Sequence, residues 1–223
     1  EGNINADPLF CNADSSDFTL YDNSPCVGTG LDGSNIGAYG VGCYSNLSDP
    51  PDTLWTRTFG GSDTDHGQSI QNTSDGGFII GGETYSFGAG GFDFYLIKVD
   101  FNGNEQWSQY YGGGDQDNFW AVKETNDGGY IATGSTRSFG NGSTFDIWVI
   151  KVDSEGNEVW NNNFGGEYDD EGFDIIQTQD GGYAVVGFHK DWHGTYGWES
   201  DIVLLKISNS GEQLWMTYGF FLL

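Results

Sequence analysis

Basic residues are the scarcest charged class in this chain: seven Lys and Arg stand against 33 Asp and Glu in 223 residues, a formal charge of −26 at pH 7. A field that negative repels phosphate backbones and anionic lipid headgroups, so nucleic acids and acidic membrane surfaces are excluded as partners. Long apolar runs are missing too. The longest, such as Ile147–Trp148–Val149–Ile150, are strand-sized, far short of the roughly 20 residues of a membrane helix, which argues against membrane insertion. Methionine is confined to Met216 and cysteine to Cys11, Cys26 and Cys43. With no initiator and no signal-like stretch, the chain reads as a mature form or an excerpt of a longer one. Three cysteines allow one disulfide with a thiol left over, or three unpaired thiols.

Glycine and aromatics are abundant: 37 Gly, with 16 Phe, 12 Tyr and 8 Trp. So many aromatics exclude a disordered chain. The dominant signal is an internal repeat. Trp55, Trp107, Trp160 and Trp215 recur at intervals close to fifty residues, and the other landmarks follow the same period. Asp75–Gly76–Gly77 returns as Asp127–Gly128–Gly129 and Asp180–Gly181–Gly182, each two residues after Thr73, Thr125 or Thr178. Lys98, Lys151 and Lys206 form one column, and Asp93, Asp146 and Asp201 another. Each unit holds four strand-sized segments, at about 119–125, 129–136, 145–153 and 158–165 in the second. Asp-Gly and Asn-Gly pairs between them predict two-residue hairpin turns and an antiparallel meander. The fold class expected is all-β, a partial β-propeller of three four-stranded blades after one leading outer strand at 53–61.

The segment Lys151–Val152–Asp153–Ser154–Glu155–Gly156–Asn157–Glu158–Val159–Trp160 resembles the tryptophan-docking segment of quinoprotein-type propellers. The Gly-to-Trp spacing recurs at Gly103/Trp107 and Gly211/Trp215, although the stretch from Asp to Gly is one residue shorter than that family's. The wider unit is similar to tandem repeats on secreted microbial proteins. The resemblance covers about residues 53–218 and implies a fold, with Trp on the outermost strand, rather than an activity. It also implies neighbouring blades in a longer parent chain.

Residues 1–47 differ in composition and carry every cysteine, and Pro50–Pro51 marks a linker, so the domains expected are 1–47 and 48–223. Ala6–Phe10, Asp17–Leu20, Asn23–Cys26 and Asn35–Gly40 in order resemble the final coil of pectate-lyase-like right-handed parallel β-helices. That resemblance implies a Cys11–Cys43 staple and carries over no catalytic residue, since that family's active sites lie on middle coils absent here. Gly28–Thr29–Gly30–Leu31–Asp32–Gly33 matches a dinucleotide fingerprint in letters only, because no βαβ unit surrounds it.

Function is expected on the face bearing the loops after each Gly-Gly pair, with the longer loops after each second strand. Asp63, Asp65, Asp115, Asp117, Asp169 and Asp170 could ligate calcium, a hard cation that takes six to eight oxygens. The alternative is that Asp65, Asp117 and Asp170, one per unit, close turns through backbone hydrogen bonds. The third unit replaces Ser-Phe-Gly with a longer loop, His189 to Glu199, where Trp192, His193, Tyr196 and Trp198 could stack on a sugar ring or pack on a neighbouring blade. His189 and His193 stand four apart, but on a loop that spacing does not make a zinc pair. Lys98, Lys151 and Lys206 read as structural partners of aspartates, and Asp93, Asp146 and Asp201 as structural too. No nucleophile elbow, Cys/His pair or repeated histidine is present, and the chain reads as non-catalytic. The expected function is an extracellular or cell-surface interaction module binding a glycan, a surface protein or calcium. The alternative is the accessory end of a secreted polysaccharide-degrading β-helix enzyme whose active site lies outside this chain.

Overall fold

The structure, a computed structural model, describes strands at 10–12, 17–21 and 41–43 and then residues 55–140, 144–192 and 198–218. The chain divides into two compact units, Glu1–Leu54 and Trp55–Leu223. In the first, β1 (Phe10–Asn12) pairs antiparallel with β2 (Asp17–Tyr21), and β3 (Val41–Cys43) pairs parallel with β2. Because β2 lies between them, the strands bearing Cys11 and Cys43 are not neighbours. Cys26, Pro50–Pro51 and most of the motifs that resemble a β-helix coil lie outside the described residues.

The second unit is all-β: three four-stranded antiparallel sheets, each a meander. Sheet one comprises β4 (Asp65–Asn72), β5 (Phe78–Thr84), β6 (Asp93–Val99) and β7 (Glu105–Tyr111). Sheet two comprises β8 (Asp117–Glu124), β9 (Tyr130–Thr136), β10 (Asp146–Val152) and β11 (Glu158–Phe164). Sheet three comprises β12 (Asp170–Gln177), β13 (Tyr183–Trp192), β14 (Trp198–Ile207) and β15 (Gln213–Tyr218). The four segments expected of the second repeat match sheet two to within two residues. β6, β9 and β10, β-branched and aromatic, are buried on both faces throughout, whereas β13 and β14 of sheet three keep one face open at Val186, Ile202 and Leu204.

Burial on two faces is possible because the sheets stack. Ile79, Phe94 and Leu96 of sheet one share a core with Phe119, Val122, Tyr130 and Trp148 of sheet two. Ile131, Ile147 and Val149 on the other face of sheet two pack on Ile175, Val185, Val203 and Leu205 of sheet three.

The Asp-Gly turns differ from the expected two-residue hairpins. Residues 73–77 close a wider loop in which Thr73 N–H donates to the Gly77 carbonyl (3.0 Å) and Gly76 N–H to the Thr73 carbonyl (2.9 Å). Asp75 Oδ1 accepts from Gly77 N–H (3.0 Å) and the Thr73 hydroxyl (2.5 Å), so the carboxylate organises the turn and only Gly76 needs positive φ, 85°. A Cβ on Gly77 would collide with the Val99 carbonyl oxygen and stand 2.8 Å from Lys98 Nζ, so the second glycine makes room for the neighbouring backbone and for the lysine.

Tryptophan lies on an edge strand of each sheet, and for the first two its partner is the next sheet. Trp107 covers Gly156 and donates its indole N–H to the Ser154 carbonyl (2.8 Å); Trp160 likewise covers Gly211. Trp55, in a leading segment that forms no strand, covers Gly103 and donates to the Phe101 carbonyl (3.2 Å).

Candidate functional site

The loop edge expected to carry function begins with the aspartate column. Asp65 accepts from Gly61 N–H (2.9 Å), the Ser86 hydroxyl (2.8 Å) and the Thr84 hydroxyl. Asp117 has the same three partners in Gly113, Ser138 and Thr136. Burial pulls Asp65 upward, but these bonds outweigh it and hold the carboxyl below its ordinary value. Asp63 and Asp115 accept from the next residue's N–H, while their own N–H groups bond Ser86 and Ser138. Both carboxylate oxygens of Asp65 and Asp117 are occupied by protein donors, as is Oδ1 of Asp63 and of Asp115. Among the described residues no three His, Cys, Asp or Glu side chains gather closely enough to hold a metal ion.

The lysine column pairs with the Asp-Gly-Gly aspartates: Lys98 with Asp75 (2.8 Å), Lys151 with Asp127 (3.1 Å) and Lys206 with Asp180 (3.0 Å). Lys98 and Lys151 are buried, Lys206 nearly so, and the aspartates face water. Hydrogen bonds from Lys98, Thr73 and Gly77 push Asp75 far below the carboxylate range, and Thr178, Lys206 and Gly182 lower Asp180 to about 2.

Asp93 and Asp146 take a separate role, undetected in the sequence beyond their recurrence. Each is buried, and each leaves Oδ1 without a hydrogen-bond partner. The other oxygen of Asp93 accepts from Ala89 N–H (2.9 Å) and that of Asp146 from the Asn163 amide (3.1 Å). Asp93 and Asp117 approach the same side of Gly112, as Asp146 and Asp170 approach Gly165. Burial, reinforced by the Asp117 charge, raises Asp93 to about 6; burial and Asp170 raise Asp146 in the same direction.

The third repeat departs from this pattern. His189 stands where the others have Thr84 and Thr136, Asp191 where they have Ser86 and Ser138, and Lys190 where they have Tyr85 and Arg137. His189 Nδ1 lies 2.5 Å from Asp170 Oδ1, and Gly166 N–H donates to Asp170 Oδ2 (2.8 Å). Lys190 Nζ pairs with Asp169 (3.1 Å), which also accepts from Phe145 N–H (3.2 Å). The Arg137 guanidinium lies 4.0 Å over the Phe145 ring. Burial raises the Asp170 carboxyl despite its histidine. Burial also pushes Asp169 up, but the Phe145 N–H and Lys190 outweigh it and leave the group lowered.

These pairs stand at the base of an extended hairpin. The stretch 189–192, expected as loop, is strand: β13 and β14 are ten residues each against seven for β5 and β6, and the ladder runs on through Lys190↔Ser200 and Asp191↔Glu199 to Trp192↔Trp198. Trp192 is 47% exposed. His193 and Tyr196 lie outside the described residues.

No protein-family model and no curated protein matches the chain. The comparison that bears on function is therefore internal, between the third repeat and its two siblings.

Proposed function

We propose that this chain is an extracellular or cell-surface interaction module, a partial β-propeller whose ligand contact is the extended hairpin of the third blade, and that the ligand is a neutral glycan. Three consecutive four-stranded meanders with tryptophan on each outer strand support the propeller reading. The observation that carries the ligand reading is the break in the repeat: two siblings close this corner with Thr and Ser, while the third installs His189–Asp170 and Lys190–Asp169 below a register-paired Trp192 and Trp198. An aromatic face flanked by hydrogen-bonding groups suits a sugar ring, and a charge of −26 disfavours polyanionic chains. In this reading Asp65, Asp117 and Asp170 close turns rather than bind calcium.

The test is a glycan array with the wild-type chain and the Trp192→Ala/Trp198→Ala double variant. Binding present in the first and lost in the second, at unchanged melting temperature, is the expected outcome. Equal binding by both would defeat the proposal.

A further inference from the structure

The stacking of sheets occurs twice with the same columns. Ile79, Gly81, Phe94 and Leu96 present the forward face of sheet one, and Ile131, Thr133, Ile147 and Val149 occupy the same columns in sheet two. In sheet three those columns hold Ala184, Val186, Ile202 and Leu204. Phe94, Leu96, Ile147 and Val149 are 0% exposed, whereas Val186 is 42%, Ile202 74% and Leu204 42% exposed. On the rear face the contrast is confined to the first strand, because Tyr95, Ile97 and Val99 are buried with Phe59 of the leading segment packed against them. Val122 and Ile175 are 0% exposed, while Ile70, in the same column of sheet one, is 63% exposed. Near it Phe59, Ile80, Tyr95 and Ile97 line an open cavity of about 160 Å³.

We propose that these two end faces mate, so that a second copy of this chain seats the rear face of its sheet one on the forward face of sheet three. The contact continues an interface already present twice within the chain, which specifies the partner's chemistry column by column. Its polar register is repeated too: Asp117 N–H donates to the Phe92 carbonyl and Asp170 N–H to the Phe145 carbonyl, both at 2.7 Å. The corresponding positions at the two ends are Asp65 and Ser200. The indole register also carries over. Trp107 and Trp160 cover the next sheet's glycine, and Trp215, 45% exposed, is the third member of that series. Its seat is Gly103 of the second copy, which Trp55 fills there. Residues 55–61 join no ladder and hold their place through Trp55 on Gly103 and Phe59 on the Tyr95–Ile97–Val99 cluster, so an arriving β15 replaces them by exchanging one indole for another and displacing Phe59. The contact is head-to-tail, and it closes into a ring or extends into a filament according to the rotation between sheets.

Sedimentation velocity of the full chain across a concentration series tests this, in about 0.5 M salt to screen the self-repulsion of so acidic a molecule. The wild type is expected to associate reversibly. Ile202→Asp on the forward face and Ile70→Asp on the rear face should each weaken association at least about 30-fold, the loss expected of a central anchor. Mixed, the two variants should form a one-to-one complex and stop, since each retains the face the other has lost. Trp55→Ala should tighten association by vacating the Gly103 seat. Both aspartates enter positions already open to water, and melting temperatures confirm folding. A wild type that stays monomeric, with other chain segments covering the faces, overturns the proposal. So does association indifferent to both aspartates, a mixture that fails to pair, or a Trp55→Ala chain that associates no more tightly.

Discussion

At the scale of single residues, the buried carboxyls pull stability in opposite directions with pH. Asp93 holds its proton up to about pH 6 in the folded chain against 3.8 ordinarily. Its penalty is therefore absent below about pH 4, grows as pH rises through 6 and is constant above. Asp75 and Asp180 are depressed, so their contribution is full above the ordinary carboxylate value and drains away as pH falls. The melting temperature should peak near pH 4 to 5. Asp93→Asn should raise stability at pH 8 by up to roughly 3 kcal/mol and leave it little changed at pH 4, measured by urea unfolding at the two pH values. The Lys151–Asp127 pair is lopsided, with the cation buried and the anion 64% exposed. Asp127→Ala strands the lysine and should cost roughly 1–3 kcal/mol, below the cost of breaking a fully buried pair. Lys151→Met leaves a solvated aspartate and should cost less; parallel urea titrations decide the order.

At the scale of elements, glycine separates turn strain from docking. Gly128 has φ 81° and open space where a Cβ would stand, so Gly128→Ala should cost about 1–2 kcal/mol from backbone strain alone. Gly156 has nearly the same φ, 82°, but a Cβ there would lie 2.9 Å from the Trp107 ring. Gly156→Ala should cost more and shift Trp fluorescence, and equal costs would contradict the docking role. The repeat made the strands and the Lys–Asp columns legible before any coordinates, and the resemblance to tryptophan-docking propellers implied the edge position of the indoles. Spacing within one hairpin could not show that Trp107 and Trp160 serve the glycine of the next sheet. Nor could residue types separate strand from loop at His189–Trp192, where ladder pairing across the tip decides. Asp93 and Asp146 looked like ordinary repeat positions because their distinguishing feature, a facing aspartate on the next sheet, is long-range.

At the scale of the whole molecule, Asp65 and Asp117, candidates for cation ligation, spend both carboxylate oxygens on the protein's own donors. Melting curves in calcium and in chelator should coincide, and a clear rise with calcium would return Asp65, Asp117 and Asp170 to the role of ligands. The architecture is otherwise uniform from sheet to sheet, and chemical individuality is concentrated where the third repeat abandons the pattern of the first two. That location is the central claim. The most direct measurement compares glycan binding by the wild type with that of a chain restored to its sibling's residues, His189→Thr, Lys190→Arg and Asp191→Ser, together with Trp192→Ala. Loss of binding in a chain that still melts cooperatively is the predicted result. Binding that survives the restoration would contradict the account and place any ligand elsewhere on the molecule.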